Sequence, residues 1–334
     1  MSHGAAGTGA EAGEVPAALL AAVSRSFYLS LRFLPRPVRG PLSLAYLLAR
    51  ATDTVADAAR APLALRLEAL DAFEAALQPD AQDGLGVVAS LLARLDCTHP
   101  GEARLLVEIS PLLRLYHCFP ALLRGELHAV LTTIVGGQRG DLLRFGYAAG
   151  HSPQSLAKPA DTVAYTYAVA GCVGEFWTRL CALQLPHFGR LSLEELLLLG
   201  RQFGQGLQLV NILRDLPADL RAGRCYLPAD QLRTVGLHPG DLLHSPERAR
   251  PVVAHWLDTA ADWLAAGERY VEGINGRRLR FSVSLPRRLG QATLELLRRH
   301  PPLETPFRLR VHRGTVLRCA AHSILESAHR PALD

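Results

Sequence analysis

The chain is organised around residues 201–228, which read RQFGQGLQLVNILRDLPADLRAGRCYLP. The apolar residues predict a helix in which polar side chains recur every three or four positions, and this spacing places them in one stripe along the helix. The stripe consists of Gln208, Asn211, Asp215 and Asp219. Carboxylates in so apolar a helix require a partner, because a buried charge is costly unless it is paired or bound to a metal ion.

Three arginines accompany this stripe, namely Arg214, Arg221 and Arg224. Carboxylates beside arginines favour a site for Mg²⁺ and phosphate together, since Mg²⁺ usually takes one or two carboxylates plus phosphate oxygens. A pair of aspartates four residues apart is also common on solvated helix surfaces. Residues 201–228 alone therefore leave both interpretations open.

A second stripe of the same kind lies in residues 46–57, which read YLLARATDTVAD. Its members are Tyr46, Arg50, Asp53 and Asp57. Two carboxylates at this spacing lie ~6 Å apart, and their repulsion is roughly 3 kcal/mol at an effective dielectric constant of about 20. A divalent cation at each stripe would relieve that repulsion, so the repeated pattern favours metal binding.

The composition indicates a large core or a large apolar cavity. The chain has 334 residues, of which 49% are hydrophobic and 20% charged, and its mean hydropathy is +0.12. No segment alternates polar and apolar residues as a strand does, so the sequence predicts an all-α fold. We expect a disordered tail over residues 1–15, one all-α domain over 16–325 and a C-terminal tail over 326–334. No apolar run is long enough to span a bilayer.

Charge and motif patterns exclude several classes of function. The net charge is only +5, and the arginines are scattered rather than gathered into the basic patch that nucleic-acid binding requires. The six cysteines lack C-x-x-C spacing and the histidines form no array, which indicates reduced thiols and no zinc site. The glycines at 136–137 and 204–206 follow no predicted strand, so a Rossmann-type dinucleotide loop is excluded. The N-terminus does not resemble a secretory signal, and we expect a cytoplasmic protein.

Residues 136–145, GGQRGDLLRF, bring Arg139 and Asp141 close together. The pattern fits a helix N-terminus with acidic capping, and it fits a role in the site equally well.

Residues 160–184 predict a long helix that is rich in small side chains. Small residues allow close approach of a neighbouring helix or of an elongated apolar ligand. Tyr165 in this helix is a core aromatic residue, a hydrogen-bond donor or a general acid or base.

Four stretches resemble the squalene/phytoene synthase family, in that family's order and spacing. They are SRSF (24–27), YLLARATDTVAD (46–57), YTYAVAGCVG (165–174) and QLVNILRDLPADLRAGRCYLP (208–228). The resemblance covers roughly residues 16–300. It implies an isoprenoid synthase fold, a helical bundle around a deep apolar cavity, and a prenyltransferase that joins two prenyl diphosphates head to head.

The resemblance also implies roles for individual residues. Mg²⁺ would be held by Asp53, Asp57, Asp215 and Asp219. Phosphate oxygens would be contacted by Arg25, Arg50, Arg214 and Arg224, with assistance from Ser24, Tyr46, Gln208 and Asn211. Tyr165 matches the tyrosine that is proposed to assist proton removal in the first half-reaction. Phe27 and Phe281 are candidates for the cavity wall, which must exclude water because the reaction passes through carbocations.

Two departures from the family pattern concern the metal site. Animal squalene synthases have an acidic residue where this chain has Ala56 and Ala218. Pro217 lies inside the second motif, and proline tends to kink or end a helix. The position of Asp219 relative to the stripe is therefore open.

The product is predicted from finer similarity. Asp53-Thr54 and residues 24–35 look like bacterial squalene synthases, which implies farnesyl diphosphate as substrate and NADPH as reductant. The alternatives are a reductant-free dehydrosqualene or phytoene synthase, a presqualene diphosphate synthase, use of the geranylgeranyl substrate, and a non-catalytic relative that serves in protein assembly. The sequence assigns no residues to NADPH and no oligomeric state. Because substrate and product are apolar, we expect peripheral contact with the inner face of the membrane near the cavity mouth.

Overall fold

Helices dominate the computed structural model, which describes residues 15–24, 27–79, 81–146, 152–305 and 307–328, without the side chains of residues 82 and 83. Within these ranges the helices are α1 (Ala17–Ser24), α2 (Phe27–Phe33), α3 (Arg36–Asp57), α4 (Leu63–Ala76), α5 (Leu85–Leu92), α6 (Pro100–Val107), α7 (Ile109–Cys118), α8 (Ala121–Phe145), α9 (Pro159–Thr166), α10 (Cys172–Gln184), α11 (Leu193–Arg221), α12 (Ala229–Thr234), α13 (Pro246–Glu272), α14 (Arg277–Arg299) and α15 (Arg313–Ala328). The strands are β1 (Gln154–Leu156) and β2 (Arg224–Pro228). The predicted all-α class and helical-bundle fold are confirmed.

The central helix is α11, which packs against α10, α13 and α14. It begins at a capping box, in which Ser192 Oγ accepts a hydrogen bond from the Glu195 backbone N–H at 3.2 Å and Glu195 Oε2 accepts one from the Ser192 backbone N–H at 3.1 Å. It ends because Gly223 adopts φ 84°, the left-handed conformation with which glycine terminates helices. The helix predicted over residues 201–228 is therefore correct only as far as Arg221.

Pro217 does not end α11, which continues through it to Arg221. The proline removes one backbone donor from the helix. Leu216 and Leu220 on either side are almost fully buried in the core and hold the last turns in place. Asp219 consequently stays on the same helix as Asp215.

The two strands correct the expectation that the chain has no β structure. They pair in parallel, with Gln154 opposite Arg224 and Ser155 opposite Cys225. This pairing, together with a hydrogen bond from Thr162 Oγ1 to the backbone carbonyl oxygen of residue 226 at 2.9 Å, fixes the position of Tyr226. Strands of three and five residues are too short to reveal an alternating pattern.

The helix predicted over residues 160–184 is interrupted by a change in its hydrogen-bond pattern. α9 ends at Thr166, a π turn spans Tyr167–Gly171, and α10 begins at Cys172. π turns are rare within α-helices and occur frequently at functional sites. This one lies directly after Tyr165 and Thr166.

The small residues around this turn pack against α11. A Cβ atom at Gly174 would lie 1.9 Å from the Gly200 carbonyl oxygen, and one at Gly204 would lie 2.3 Å from the Ala170 carbonyl oxygen. Both distances are far shorter than a van der Waals contact, so only glycine lets the two backbones come this close. A neighbouring helix, rather than a ligand, therefore explains these positions.

We expect Gly174→Ala to destabilise the protein by about 1–3 kcal/mol or more, because the added methyl group forces α10 away from α11. The measurement is the urea midpoint of unfolding. Gly125→Ala is the matched control, since Gly125 is an exposed residue of α8 with nothing within 4 Å of its added Cβ. That change should stabilise by up to ~1 kcal/mol through helix propensity. Equal midpoints for the Gly174→Ala variant and the wild type would contradict the close packing.

Residues 136–141 lie in the interior of α8, so the interpretation as a helix N-terminus is wrong. Glycine at position 137 has a packing role, because its Cβ would lie 2.9 Å from the Cβ atom of Ala168 in the π turn. α8 therefore approaches the π turn closely, and this brings the side chains of residues 138–141 towards Tyr165.

The C-terminal tail was predicted to start too early. Residues 326–328 belong to α15, and Glu326 Oε2 accepts a hydrogen bond from Ser284 Oγ at 2.5 Å. The expected N-terminal tail, apart from Val15, and residues 329–334 lie outside the described residues. In the part of the chain that the structure covers, no helix combines the length and hydropathy needed to cross a bilayer.

Candidate active site

The first acidic stripe lies on α3 and is held by its neighbours. Asp53 Oδ1 accepts a hydrogen bond from Gln138 Nε2 of α8 at 2.6 Å. Asp53 Oδ2 lies 3.8 Å from Arg50 Nη1, and Arg50 also forms an ion pair with Glu102 of α6. Arg50 is thus shared between a carboxylate of the stripe and one from another helix.

The carboxylates of this stripe resist ionisation. The side chain of Asp53 is 47% exposed, so part of it is in contact with solvent. The surrounding protein nevertheless displaces much of the solvent. Burial first, and then the charge of Asp57, raise the pKa of Asp53 to about 6. Burial also raises the pKa of Asp57, while the charge of Arg224 opposes that rise.

The second stripe begins with a carboxylate that two arginines share. Asp215 Oδ2 lies 2.6 Å from Arg214 Nη2, and Asp215 Oδ1 lies 2.9 Å from Arg308 Nη2. Burial opposes ionisation of Asp215, but the hydrogen bonds and charges of these arginines outweigh it and lower the pKa of the carboxyl group. Asp215 is therefore firmly ionised.

Arg224 connects the two stripes. Its Nη2 atom donates a hydrogen bond to Asp219 Oδ1 at 2.8 Å. Its charge also opposes the rise in pKa that burial causes at Asp57 on α3 and at Asp141 on α8. Carboxylates of three helices therefore lie within the electrostatic reach of one guanidinium group.

Tyr165 is placed beside these charges by the strand that follows α11. Its ring stacks on that of Tyr226, with the centroids 4.5 Å apart and the planes inclined by 20°. The Tyr226 hydroxyl donates a hydrogen bond to Asp141 Oδ2 at 3.1 Å. Burial, and next the charge of Asp141, raise the pKa of Tyr165, while the Tyr226 side chain opposes the rise. Tyr165 therefore contacts Tyr226 through its ring, and Tyr226 is in turn hydrogen-bonded to a carboxylate.

Burial raises the pKa of Asp141 to about 6, although the hydrogen bond from Tyr226 opposes the rise. Asp141 Oδ1 is buried and has no hydrogen-bond partner among the described residues. Such a carboxylate readily accepts a proton, because protonation removes an incompletely solvated charge.

A cavity of about 660 Å³ adjoins the second stripe. Its polar lining includes Asn211, Arg214, Arg308 and Arg310, and most of the other lining residues are apolar. The apolar lining comes from Phe27, Leu207, Val210, Leu285, Pro286, Leu289, Leu309, Val311 and Val316. Since Arg214 and Arg308 also bind Asp215, the cavity and the carboxylates share their arginines.

The other residues that the sequence predicted for the site differ in their burial and in their hydrogen-bond partners. Gln208 is half-buried on α11. The Tyr46 hydroxyl donates to the Val23 carbonyl oxygen at 3.1 Å, and Ser24 is buried with its Oγ bonded to a carbonyl oxygen of its own helix. Phe281 is buried outside the cavity lining, and Arg25 lies outside the described residues.

Several site residues were missed by the sequence analysis. Gln138 precedes Asp141 by three positions on α8, so the spacing rule that found the other stripes would have found this pair. Tyr226 directly follows the second motif but lies on a short strand. Arg308 and Glu102 have no local signal, because they reach the site from 93 and 52 positions away from their partners.

The carboxylates fit Mg²⁺ when phosphate is also present. Among the residues that the structure describes, no three histidine, cysteine, aspartate or glutamate side chains gather closely enough to hold a metal ion alone. Mg²⁺ typically takes one or two carboxylates and completes its shell with water and phosphate oxygens. The raised pKa of Asp53 supports the fit, since a nearby dication stabilises the charged form of such a group.

Comparisons with known proteins identify the family of this chain. The family model described as squalene/phytoene synthase matches residues 20–315. A bifunctional lycopene cyclase/phytoene synthase of Colletotrichum graminicola is 32% identical over 236 residues, which cover 69% of this chain and 37% of that protein. A phytoene synthase of Mycobacterium tuberculosis is 28% identical over 261 residues, which cover 76% of this chain and 71% of that protein. This chain thus spans little more than a third of the fungal relative.

A solved structure of TcSQS with a bound ligand is similar to this one with a TM-score of 0.74. The match covers 93% of this chain and 86% of that one at 20% identity. At this identity the likeness supports the shared fold alone.

Proposed function

Because the chain belongs to the squalene/phytoene synthase family, we propose that it joins two prenyl diphosphates head to head. The observation that carries the proposal is the position of Arg224, which bonds Asp219 and acts on Asp57 and Asp141 from two other helices. Acidic and basic groups that alternate in this way beside an apolar cavity suit a substrate with a diphosphate head and a long hydrocarbon tail.

The arginines would bind the diphosphate groups. Guanidinium groups pair with phosphate oxygens through two parallel hydrogen bonds. Arg50, Arg214 and Arg224 already hold carboxylates at short distance, and Arg308 joins them from the segment before α15. Each could transfer its hydrogen bonds from a carboxylate to a phosphate oxygen as substrate enters, while the released carboxylate turns to a metal ion.

Asp53 and Asp57 on α3, and Asp215 and Asp219 on α11, are the residues that would hold Mg²⁺. Mg²⁺ bound there would neutralise charge that develops on the departing diphosphate. Gln138 orients Asp53 through its hydrogen bond, so α8 helps to set the direction of that carboxylate.

The cavity would protect the cation that forms when the first C–O bond breaks and the electron pair leaves with diphosphate. Water must be excluded from that cation, and the lining is largely leucine, valine and phenylalanine. The double bond of the second substrate attacks the allylic carbon, and loss of one proton closes a cyclopropane ring.

Tyr165, Tyr226 and Asp141 would receive that proton. The Tyr165 hydroxyl oxygen would take the proton and pass its own to Tyr226, and the Tyr226 hydroxyl would pass its own to Asp141 Oδ2, to which it already donates. No phenolate has to form, which matters because burial raises the pKa of both tyrosines. The proton ends on a carboxylate whose pKa of about 6 suits a general base near neutral pH.

The cyclopropyl intermediate would then lose its own diphosphate, which departs with the C–O electron pair, and the resulting cation would rearrange. This rearranged cation could lead to either of two products. Our first candidate is squalene from farnesyl diphosphate, for which NADPH would supply the hydride that reduces the cation. It rests on the Asp53-Thr54 pair and residues 24–35. Neither described strand leads into a glycine-rich loop, so the NADPH proposal rests on the resemblance alone. The second candidate loses a proton instead, and the phytoene synthase names of both sequence relatives favour it.

The test is incubation of the purified protein with Mg²⁺ and either farnesyl or geranylgeranyl diphosphate, with and without NADPH, followed by mass analysis. Squalene formed only with NADPH supports the first candidate. Dehydrosqualene or phytoene in both tubes supports the second, and presqualene diphosphate alone supports an enzyme that stops after the first half-reaction. The same protein without Mg²⁺ serves as control, and no condensed product from either substrate would overturn the proposed activity.

A further inference from the structure

Helix α15 exposes an apolar face to solvent and buries a mostly polar face against the protein. Its residues Leu317, Ala321, Ile324 and Ala328 recur every three or four positions and are all exposed. Leu317 is 72% exposed and Ile324 is 54% exposed. The opposite face, which packs on α14, consists of Cys319, Ser323 and Ser327. A helix on the surface of a soluble protein normally buries its apolar stripe and exposes its polar one.

Polar contacts fix this orientation of α15. Ser323 Oγ and Ser327 Oγ donate to carbonyl oxygens one turn earlier in the same helix. Glu326 forms ion pairs with Arg287 at 3.0 Å and with Arg288 at 2.9 Å, both on α14. Arg287 is itself only 3% exposed. Rotating α15 to bury its apolar stripe would break the ion pair of the buried Arg287 with Glu326 and leave it only Glu268, at 4.0 Å, which is unfavourable.

The surroundings of the exposed stripe are basic. Arg310, Arg313 and Arg318 are exposed on or just before α15. Glu326 is the one acidic residue of the sequence from 307 to 328, and it faces α14. Apolar side chains are therefore flanked by arginines, and residues 307–328 expose no carboxylate. This combination matches a partner whose surface is negatively charged and whose interior is apolar.

The same surface borders the cavity. Val316 lines the cavity and is followed directly by Leu317, and Phe307, which is 65% exposed, precedes the cavity-lining Arg308. On the other side, α2 exposes Phe33, whose ring lies 4.8 Å from that of Phe281. Phe281 packs in one buried cluster with Cys319 of α15, so α2 and α15 contact the same part of the core.

We propose that the exposed face of α15 docks on an anionic lipid membrane and sets the cavity mouth at the bilayer surface. Interfacial helices combine an apolar face with basic residues in this way. A second copy of this chain is disfavoured as the occupant, because two such faces would bring the arginines of one copy against those of the other. Glu295 of α14, an exposed carboxylate that acts on Cys319, already lies 3.8 Å from Arg299. If the proposed function holds, the apolar tail of a substrate could enter from the lipid without crossing water.

The test is sedimentation of the purified 334-residue protein with vesicles of phosphatidylcholine alone or mixed equally with phosphatidylglycerol. Wild type should bind the anionic vesicles, and less so at high salt. Leu317→Gln/Ile324→Gln should raise the lipid concentration for half-binding by about tenfold or more, since the apolar contact is lost. Arg313→Gln/Arg318→Gln should do the same on anionic vesicles, as each basic residue near the surface contributes about 1 kcal/mol, or about fivefold.

The matched control is Val107→Gln/Leu122→Gln, which removes two exposed apolar side chains, 79% and 66% exposed, from α6 and α8. It should bind vesicles as the wild type does. The inference fails if no vesicles are bound, if all variants bind equally, or if light scattering reveals a dimer that Leu317→Gln/Ile324→Gln dissociates. Because lipid binding needs no turnover, its outcome is separate from that of the product assay.

Discussion

Asp53→Asn and Asp215→Asn are each expected to lower turnover by about 10²–10³-fold, a loss typical of removing one group that stabilises developing charge. Each change removes one negative charge from a proposed Mg²⁺ site and preserves the shape of the side chain. The measurement is the rate of condensed product formed at saturating prenyl diphosphate, over a series of Mg²⁺ concentrations.

Asp258→Asn is the matched control, because Asp258 is also a helical aspartate paired with an arginine, at 2.8 Å from Arg298, but lies on the exposed face of α13. It should leave the rate unchanged. Near-wild-type rates in either the Asp53→Asn or the Asp215→Asn variant would remove the metal assignment while leaving the family assignment intact.

The fold of the Asp53→Asn variant should survive. In the folded wild type the pKa of Asp53 is about 6, which lies above the usual value near 4 for an aspartate in the unfolded chain. The folded state therefore binds the proton more tightly, and the charged carboxylate costs stability as pH rises from about 4 through 6. At pH 7.5 the neutral asparagine should melt at the same temperature as the wild type or higher, so a loss of turnover in this variant cannot come from unfolding.

Asp141→Asn is expected to reduce turnover by about 10²–10⁴-fold, as loss of a general base does. In the wild type, turnover should rise with pH through about 6, because Asp141 accepts a proton only when it is ionised. Tyr226, Arg224, Asp219 and Asp57 are the charged and titratable groups that act on it. The residual rate of the variant should lose this acidic limb of the pH profile, which means that it should no longer fall as the pH drops below about 6. The profile is measured at saturating Mg²⁺, which should lower the pKa of Asp53 and keep that group out of the range.

Tyr226→Phe provides the second half of this test. It keeps the ring that stacks on Tyr165 and removes the hydroxyl that donates to Asp141, so turnover should fall as it does for Asp141→Asn. Tyr270→Phe is the control, since Tyr270 is a buried tyrosine whose hydroxyl pairs with Thr178 in the core. A Tyr226→Phe variant with unchanged turnover and an unchanged acidic limb would exclude the proton path.

The sequence predicted the parts of the site that depend on helical spacing. The stripes of Asp53 and Asp215 could be found because residues three or four apart share a helix face whatever surrounds them. Arg308 could not, because it reaches Asp215 only through the folded arrangement of α14 and α15. Tyr226 was missed for a different reason, since the strand that carries it is too short to leave a pattern.

The end of α11 shows how one local signal can outweigh another. Pro217 suggested a break before Asp219, yet the buried leucines on either side keep the helix intact, and it is Gly223 that stops it. Proline forbids one hydrogen bond, whereas a glycine in the left-handed conformation reverses the direction of the chain. Tertiary packing decides which of the two acts, and packing is not visible in the local sequence.

The π turn between α9 and α10 changes the direction in which the side chains of α9 point relative to those of α10. A regular helix turns by about 100° per residue, and a π turn holds one residue more than an α-turn. Tyr165 is consequently rotated by about 100° from where an uninterrupted helix would carry it. That angle allows the tyrosine to face Tyr226 while Gly174 of α10 still faces α11. One inserted residue thus lets a single stretch of chain contact both Tyr226 and α11. An ideal helix of the same composition could make only one of these two contacts.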